Sequence, residues 1–139
     1  KPGFPKANYF LGLIQKKLGR YTEAVRLFDL VRTDFPNDRV LLKELGQTYY
    51  YMELYNKALK IFHNVLKIDP EDSQAHYNLI LINKNLGNIG RSREHKNLYV
   101  KYKIDEEAKS ISQTTRLKYP HANNEAQIVH AHSLLSIDR

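Results

Sequence analysis

Histidine, lysine and tyrosine are the residues of this chain whose types and spacing could do chemistry. His130 and His132 form an H-x-H pair, with His121 nearby. In an extended strand such alternating side chains point one way and could share a metal ion or a haem iron. Local spacing fixes no third ligand, so a solvated arm is the plainer reading and no cofactor is expected. His63, His76 and His95 stand apart in sequence and read as packing or surface residues. The chain has no cysteine, which removes disulfides, thiolate catalysis, Cys-based zinc sites and covalent haem attachment. It also lacks G-x-S-x-G, a Gly-rich phosphate loop and H-E-x-x-H. No enzyme is expected. What remains is tyrosine interleaved with lysine, which is the chemistry of recognition. Tyrosine offers a large apolar face with a polar tip, and lysine attracts carboxylates.

The bulk numbers agree with a binding module. The 139 residues are 42% hydrophobic and 27% charged, a globular composition. No run of apolar residues is long enough to span a membrane. The net charge is +7. The first 103 residues hold 18 Lys and Arg against 10 Asp and Glu, so the basic character lies there. An acidic partner fits this balance, as does a solubilising basic surface. The chain opens without Met and without a signal peptide, which suggests a processed or truncated chain and fixes no compartment.

The elements that must position these side chains come from a repeat. "GRYTEAVRLFDLVRTDFP" (19–36) and "ELYNKALKIFHNVLKIDP" (53–70) say nearly the same thing 34 residues apart. The matched pairs are Leu11/Leu45, Gly12/Gly46, Tyr21/Tyr55, Ala24/Ala58, Phe28/Phe62, Val31/Val65 and Pro36/Pro70. A third copy begins at His76, Tyr77 and Leu79 and then decays, with Ser92 for the Ala, Lys96 for the Phe and Ile104 for the Pro. Apolar residues recur at three- and four-residue steps, so each copy is two helices, A and B. Gly19 and Gly87 separate them, Thr22 and Asn56 are expected to cap helix B, and proline closes it. Gly12, Gly46, Ala24 and Ala58 should let helices approach closely, and Phe28 and Phe62 should fill the space between successive copies. One copy cannot bury its apolar faces alone, but stacked copies can.

This pattern resembles the tetratricopeptide repeat over residues 5–103. The resemblance implies an all-α, right-handed solenoid of three repeats, at 5–38, 39–72 and 73–103. Asp105 is expected to cap a further helix over 104–120, ended by Pro120, that closes the array. Residues 121–139 then read as an irregular arm, with a short helix near 125–130. Pro2, Pro36 and Pro70 share the same spacing, so the chain reads as the C-terminal piece of a longer array. An array cut there would leave an apolar face around Tyr9–Leu13 open to self-association.

In the family the A helices line a concave groove. The resemblance therefore implies groove positions Tyr9, Leu13, Lys16 and Lys17 in the first repeat. Lys43, Gln47, Tyr50 and Tyr51 follow in the second, and Tyr77, Leu81 and Lys84 in the third. Such a groove would take a protein or peptide segment bearing acidic groups. The clamp for chaperone-tail carboxylates is not matched, because Tyr9, Leu13, Glu44, Gln74 and Asn78 stand at its positions. Nucleic acid is disfavoured, since Glu44 interrupts the basic line and no RNA-binding signature occurs. The tail "NNEAQIVHAH" (123–132) resembles the C-terminal end of bacterial tetratricopeptide proteins with c-type haem modules upstream. That resemblance implies an alternative: the terminal module of an exported c-type cytochrome, with the tail histidines helping to dock or to ligate.

Overall fold

The computed structural model describes residues 4–118. They form six helices: α1 (Pro5–Lys17), α2 (Tyr21–Asp34), α3 (Arg39–Tyr51), α4 (Tyr55–Ile68), α5 (Ser73–Asn85) and α6 (Ile89–Lys118). No strand occurs among the described residues. The chain divides into two compact units, residues 1–100 and 101–139. Within the first, α1 pairs with α2, α3 with α4, and α5 with the first part of α6. α3 also packs on α1 and α2, and α5 on α3 and α4, so three hairpins form an all-α solenoid.

Each hairpin turns on a backbone constraint. Gly19 and Gly87 take φ of +78° and +80°, the left-handed region that costs glycine little. Glu53 fills the same place in the second hairpin at φ 60° and bears a strain of about 1 kcal/mol. The turn closes identically, with the amide of Leu54 donating to Tyr49 O at 2.9 Å and that of Arg20 to Gln15 O at 2.8 Å. α2 and α4 end just before Pro36 and Pro70, as expected.

The caps differ from expectation. α2 and α4 begin at Tyr21 and Tyr55, so Thr22 and Asn56 lie inside the first turn and cap nothing. The capping residues are Asp38 and Asp72, again 34 apart, on the A helices. Asp38 accepts from the amide of Leu41 at 3.1 Å, and Asp72 from that of Ala75 at 3.0 Å.

The glycines work as expected, but their partner is within the hairpin. A Cβ on Gly12 would lie 2.6 Å from Cε1 of Phe28, and one on Gly46 2.6 Å from Cε2 of Phe62. Each phenyl ring thus lies on the bare backbone of its own A helix rather than only between hairpins. Both rings are fully buried, with Ala24, Leu45, Ala58, Val65, Leu79 and Ile82 in one core that runs through all three hairpins. The third hairpin substitutes both partners at once. Ile80 supplies bulk where the others have glycine, and Lys96 removes the ring. Ser92 then ties the crossing by donating its hydroxyl to Ile80 O at 3.0 Å.

α6 continues through Ile104 and Asp105 without a break, so Asp105 caps nothing and the expected closing helix is the continuation of α6. Pro2, Pro120 and the arm at 121–139, with His121, His130 and His132, lie outside the described residues. At the other end Leu11 and Ile14 are 43% and 53% exposed, whereas the residues at the same repeat positions, Leu45 and Leu79 for the first and Thr48 and Ile82 for the second, are fully buried.

Candidate functional site

α1, α3 and α5 bring the expected recognition residues onto one succession of A helices. Their polar groups are largely engaged with each other. Lys16 Nζ donates to Glu44 Oε1 and to Gln47 Oε1, both at 2.7 Å, joining α1 to α3. Lys43 donates to Asp72 Oδ2 at 2.9 Å, and Arg39 donates to Asp69 at 2.6 Å and to Asp72 at 2.9 Å. Asn85 donates to the hydroxyl of Tyr50 at 3.1 Å, joining α5 to α3. Lys16 and Lys43 are therefore structural cations. Lys17 and Lys84 are exposed and have no ion-pair partner among the described residues.

The aromatic residues divide likewise. Tyr9 is half-buried, its ring centroid 6.0 Å from that of Phe28. Burial, then the charges of Glu44 and Asp38, push its phenol up, so it stays protonated. Tyr50 packs against Tyr55 at 5.5 Å. Tyr51 and Tyr77 are exposed at 53% and 47%. Tyr51 stacks on Tyr21 at 5.7 Å, which fixes its ring while leaving its rim open. Leu13, Lys16, Lys17, Glu44 and Tyr51 line a hollow of about 490 Å³ between α1 and α3. Four of those five are expected groove residues; Gln47 enters only as a partner of Lys16, and Leu81 is half-buried on α5.

Two histidines read as isolated meet in the third hairpin. His76 is 3% exposed, and its Nε2 lies 2.8 Å from Pro70 O, which can only accept. Where both rings are neutral, Nε2 carries the proton, Nδ1 presents a lone pair, and His95 Nδ1, 3.0 Å from it, is the donor. No local spacing could reveal this pair, because the two residues meet only through the α5–α6 crossing. Burial, then His76, His63 and Arg91, hold His95 down to about 4, and burial with Arg91 and Lys67 lowers His63. No group of three metal-ligating residues occurs among the described residues.

The sign of the pH effect follows. His95 titrates lower when folded than near 6.5 when unfolded, so the unfolded chain takes up its proton first. Stability is complete above about pH 6.5 and is lost as pH falls toward 4, by about 1–2 kcal/mol after allowing for solvent screening. Urea titrations at several pH values should show this slope, and His95→Gln should flatten it. An unchanged slope in the variant would show that other groups are responsible.

Helical hairpins stacked at a constant step, with a face of tyrosine and lysine, define a helical-repeat protein. Residues 7–38 match a family model for the tetratricopeptide repeat, and residues 44–72 match a second model of the same description. These segments are tetratricopeptide repeats, and the solenoid is of that kind. The chain is similar to Protein CTR9 homolog of Arabidopsis thaliana, 37% identical over 82 residues, 57% of this chain and 8% of the relative. It is 28% identical over 115 residues, 81% of this chain and 22% of the relative, to the tetratricopeptide repeat and J domain-containing co-chaperone DNJ1 of Cryptococcus neoformans. The chain thus spans less than a quarter of either curated relative. Among solved structures, MamA from Desulfovibrio magneticus RS-1 superposes with a TM-score of 0.71 at 22% identity, over 76% of this chain and 59% of that one. The first tetratricopeptide domain of Spaghetti (RPAP3), bound to the HSP90 peptide SRMEEVD, gives 0.68 at 11% identity, over 99% of this chain and 94% of that one. At these identities the likeness concerns the fold alone. The comparisons lend no support to the c-type cytochrome alternative. No described helix is long and apolar enough to cross a membrane.

Proposed function

We propose that the chain is a non-catalytic interaction scaffold whose A-helix face binds a peptide segment or partner protein bearing acidic groups. The observation that carries this reading is the hollow of about 490 Å³ between α1 and α3. It combines an aliphatic wall at Leu13, a held aromatic rim at Tyr51 and the ammonium of Lys17, which has no ion-pair partner among the described residues. Tyr77 and Lys84 on α5 line a different groove, against α6. A ring that is already positioned loses little entropy on binding, which suits an anchor for a side chain of the ligand. A repeat-family relative that is a co-chaperone, and a solved relative holding a peptide, support the class of ligand without specifying it.

Lys43→Glu is a poor test, since it would break the pairing with Asp72. The informative variants are Lys17→Glu and Tyr51→Ala. A displayed peptide library selected on the protein is expected to enrich acidic sequences containing an apolar residue. The double variant should lower affinity for the selected peptides about tenfold or more with helicity unchanged. Selection of no sequence, or equal binding by the variant, removes the proposal. A second reading is self-association through Leu11 and Ile14, favoured by their exposure where equivalent residues are buried. A single monomeric species at all concentrations in sedimentation would count against it.

A further inference from the structure

In the first two hairpins one seat is always filled by the next A helix. α3 lays Leu41, Leu42 and Leu45 onto the first hairpin, and α5 lays Ala75, Leu79 and Ile82 onto the second. Beside that junction the first hairpin has Val25 and Phe28, with Gly12 under the ring, and the second has Leu59 and Phe62, with Gly46 under the ring. The same register on the third gives Ile80, Arg93 and Lys96. There the seat is an open groove of about 400 Å³ between α5 and the first part of α6. Its floor is apolar, and Ile89 and Val100 are 50% and 47% exposed. Its rim carries Lys84, Arg93 and Lys96, none of which has an ion-pair partner among the described residues.

The molecule itself shows what such a seat takes. Lys16, two repeats before Lys84 in the same register, receives Glu44 from the incoming helix at 2.7 Å. No such apolar stripe follows in register among the described residues. Where α3 has Leu41, Leu42 and Leu45, the next repeat step carries Lys109, Ser110 and Gln113. We propose that this groove docks an amphipathic helix of another protein, one that presents an aliphatic stripe flanked by carboxylates. The shape is that of an A-helix seat, so the occupant is a helix. Two seat positions that are apolar in the other hairpins are cationic here, so that helix is acidic. The groove shares Tyr77 and Lys84 with the A-helix face, and it is told apart from the hollow at Lys17 by Arg93 and Lys96, which lie on α6.

The test uses the whole chain and a synthetic helix of about 18 residues, with leucines at i, i+4 and i+7 and three flanking glutamates. A matched peptide carries glutamine instead. The glutamate peptide is expected to bind saturably, at least tenfold more tightly than the glutamine peptide, and to weaken as salt is raised. Arg93→Glu with Lys96→Glu should reduce binding at least tenfold; both side chains are exposed, so circular dichroism should show retained helix. Lys17→Glu should leave it unchanged, which separates this site from the hollow between α1 and α3. Equal binding of the two peptides overturns the proposal, as does binding unaffected by the Arg93/Lys96 variant. Equally effective competition by an oligonucleotide of matched charge would assign the groove to polyanions instead and overturn it too. So would a dimer of the free protein in sedimentation that Arg93→Glu with Lys96→Glu dissolves.

Discussion

Phe62→Ala is expected to lower the free energy of unfolding by about 3–5 kcal/mol. The ring is fully buried and rests on Gly46, so its removal opens a cavity against backbone that cannot collapse into it. A glycine brings no side chain to fill the gap. The second hairpin is also the middle one, with a neighbour on each side, and the stability of a solenoid is nearly a sum of repeat and junction contributions. Loss at the middle weakens both junctions, whereas Phe28→Ala leaves the second junction intact and should cost less. A domain of this size has about 5–15 kcal/mol in total, so the variant is close to unfolding at 37 °C. Urea titration followed by circular dichroism measures it. A loss under about 1.5 kcal/mol would mean that the hairpin repacks, and that the glycine–phenyl crossing does not set its geometry.

Asp72→Ala should be nearly as costly, about 2–4 kcal/mol, for different reasons. The carboxylate side chain is 3% exposed and serves two helices. It caps α5 and binds Lys43 and Arg39 from α3. Alanine removes the cap and leaves the Lys43 ammonium, itself 17% exposed, without its partner. Burial pushes the Asp72 carboxyl up. The hydrogen bonds from Lys43, the Ala75 amide and Arg39, with the charge of Lys43, together pull it below the ordinary carboxylate range. Its contribution is therefore complete above about pH 4 and fades as pH falls through the folded value, below the window in which His95 acts. Asp72→Asn should keep part of the cap and lose the charge pairing, and so fall between wild type and alanine. A double-mutant cycle with Lys43→Ala isolates the pair. If its coupling is zero, the cap alone explains the loss.

The hairpins were legible because period and punctuation survive in the primary structure. Gly12 with Phe28, Gly46 with Phe62, and the prolines at the same step are enough to place five helices. The sixth departs from the pattern at Ile104, which stands where the earlier copies have proline. With neither proline nor glycine there, nothing stops the helix, and Asp105 becomes an interior residue. Residue type favours Thr22 and Asn56 as caps, yet Asp38 and Asp72 carry the same 34-residue signal and are the ones that cap. The groove was legible as a set of residues but not as a state of charge. Whether Lys16 and Lys43 are free depends on which side chains the neighbouring hairpin brings within 3 Å, and no local spacing encodes that. The His76–His95 contact was hidden for the same reason.

The two kinds of bond in this array are distributed unevenly. Aromatic rings seated on glycine hold each of the first two hairpins together, while Lys16–Glu44, Lys43–Asp72 and Arg39–Asp72 reach from one hairpin to the next. Dissolved ions weaken the second kind, least at the buried carboxylate of Asp72, and leave the first untouched. Ionic strength is thus a dial on how far one hairpin's opening is felt by its neighbours. At low salt the array melts as a block. At high salt its ends are free to fray while the middle stands.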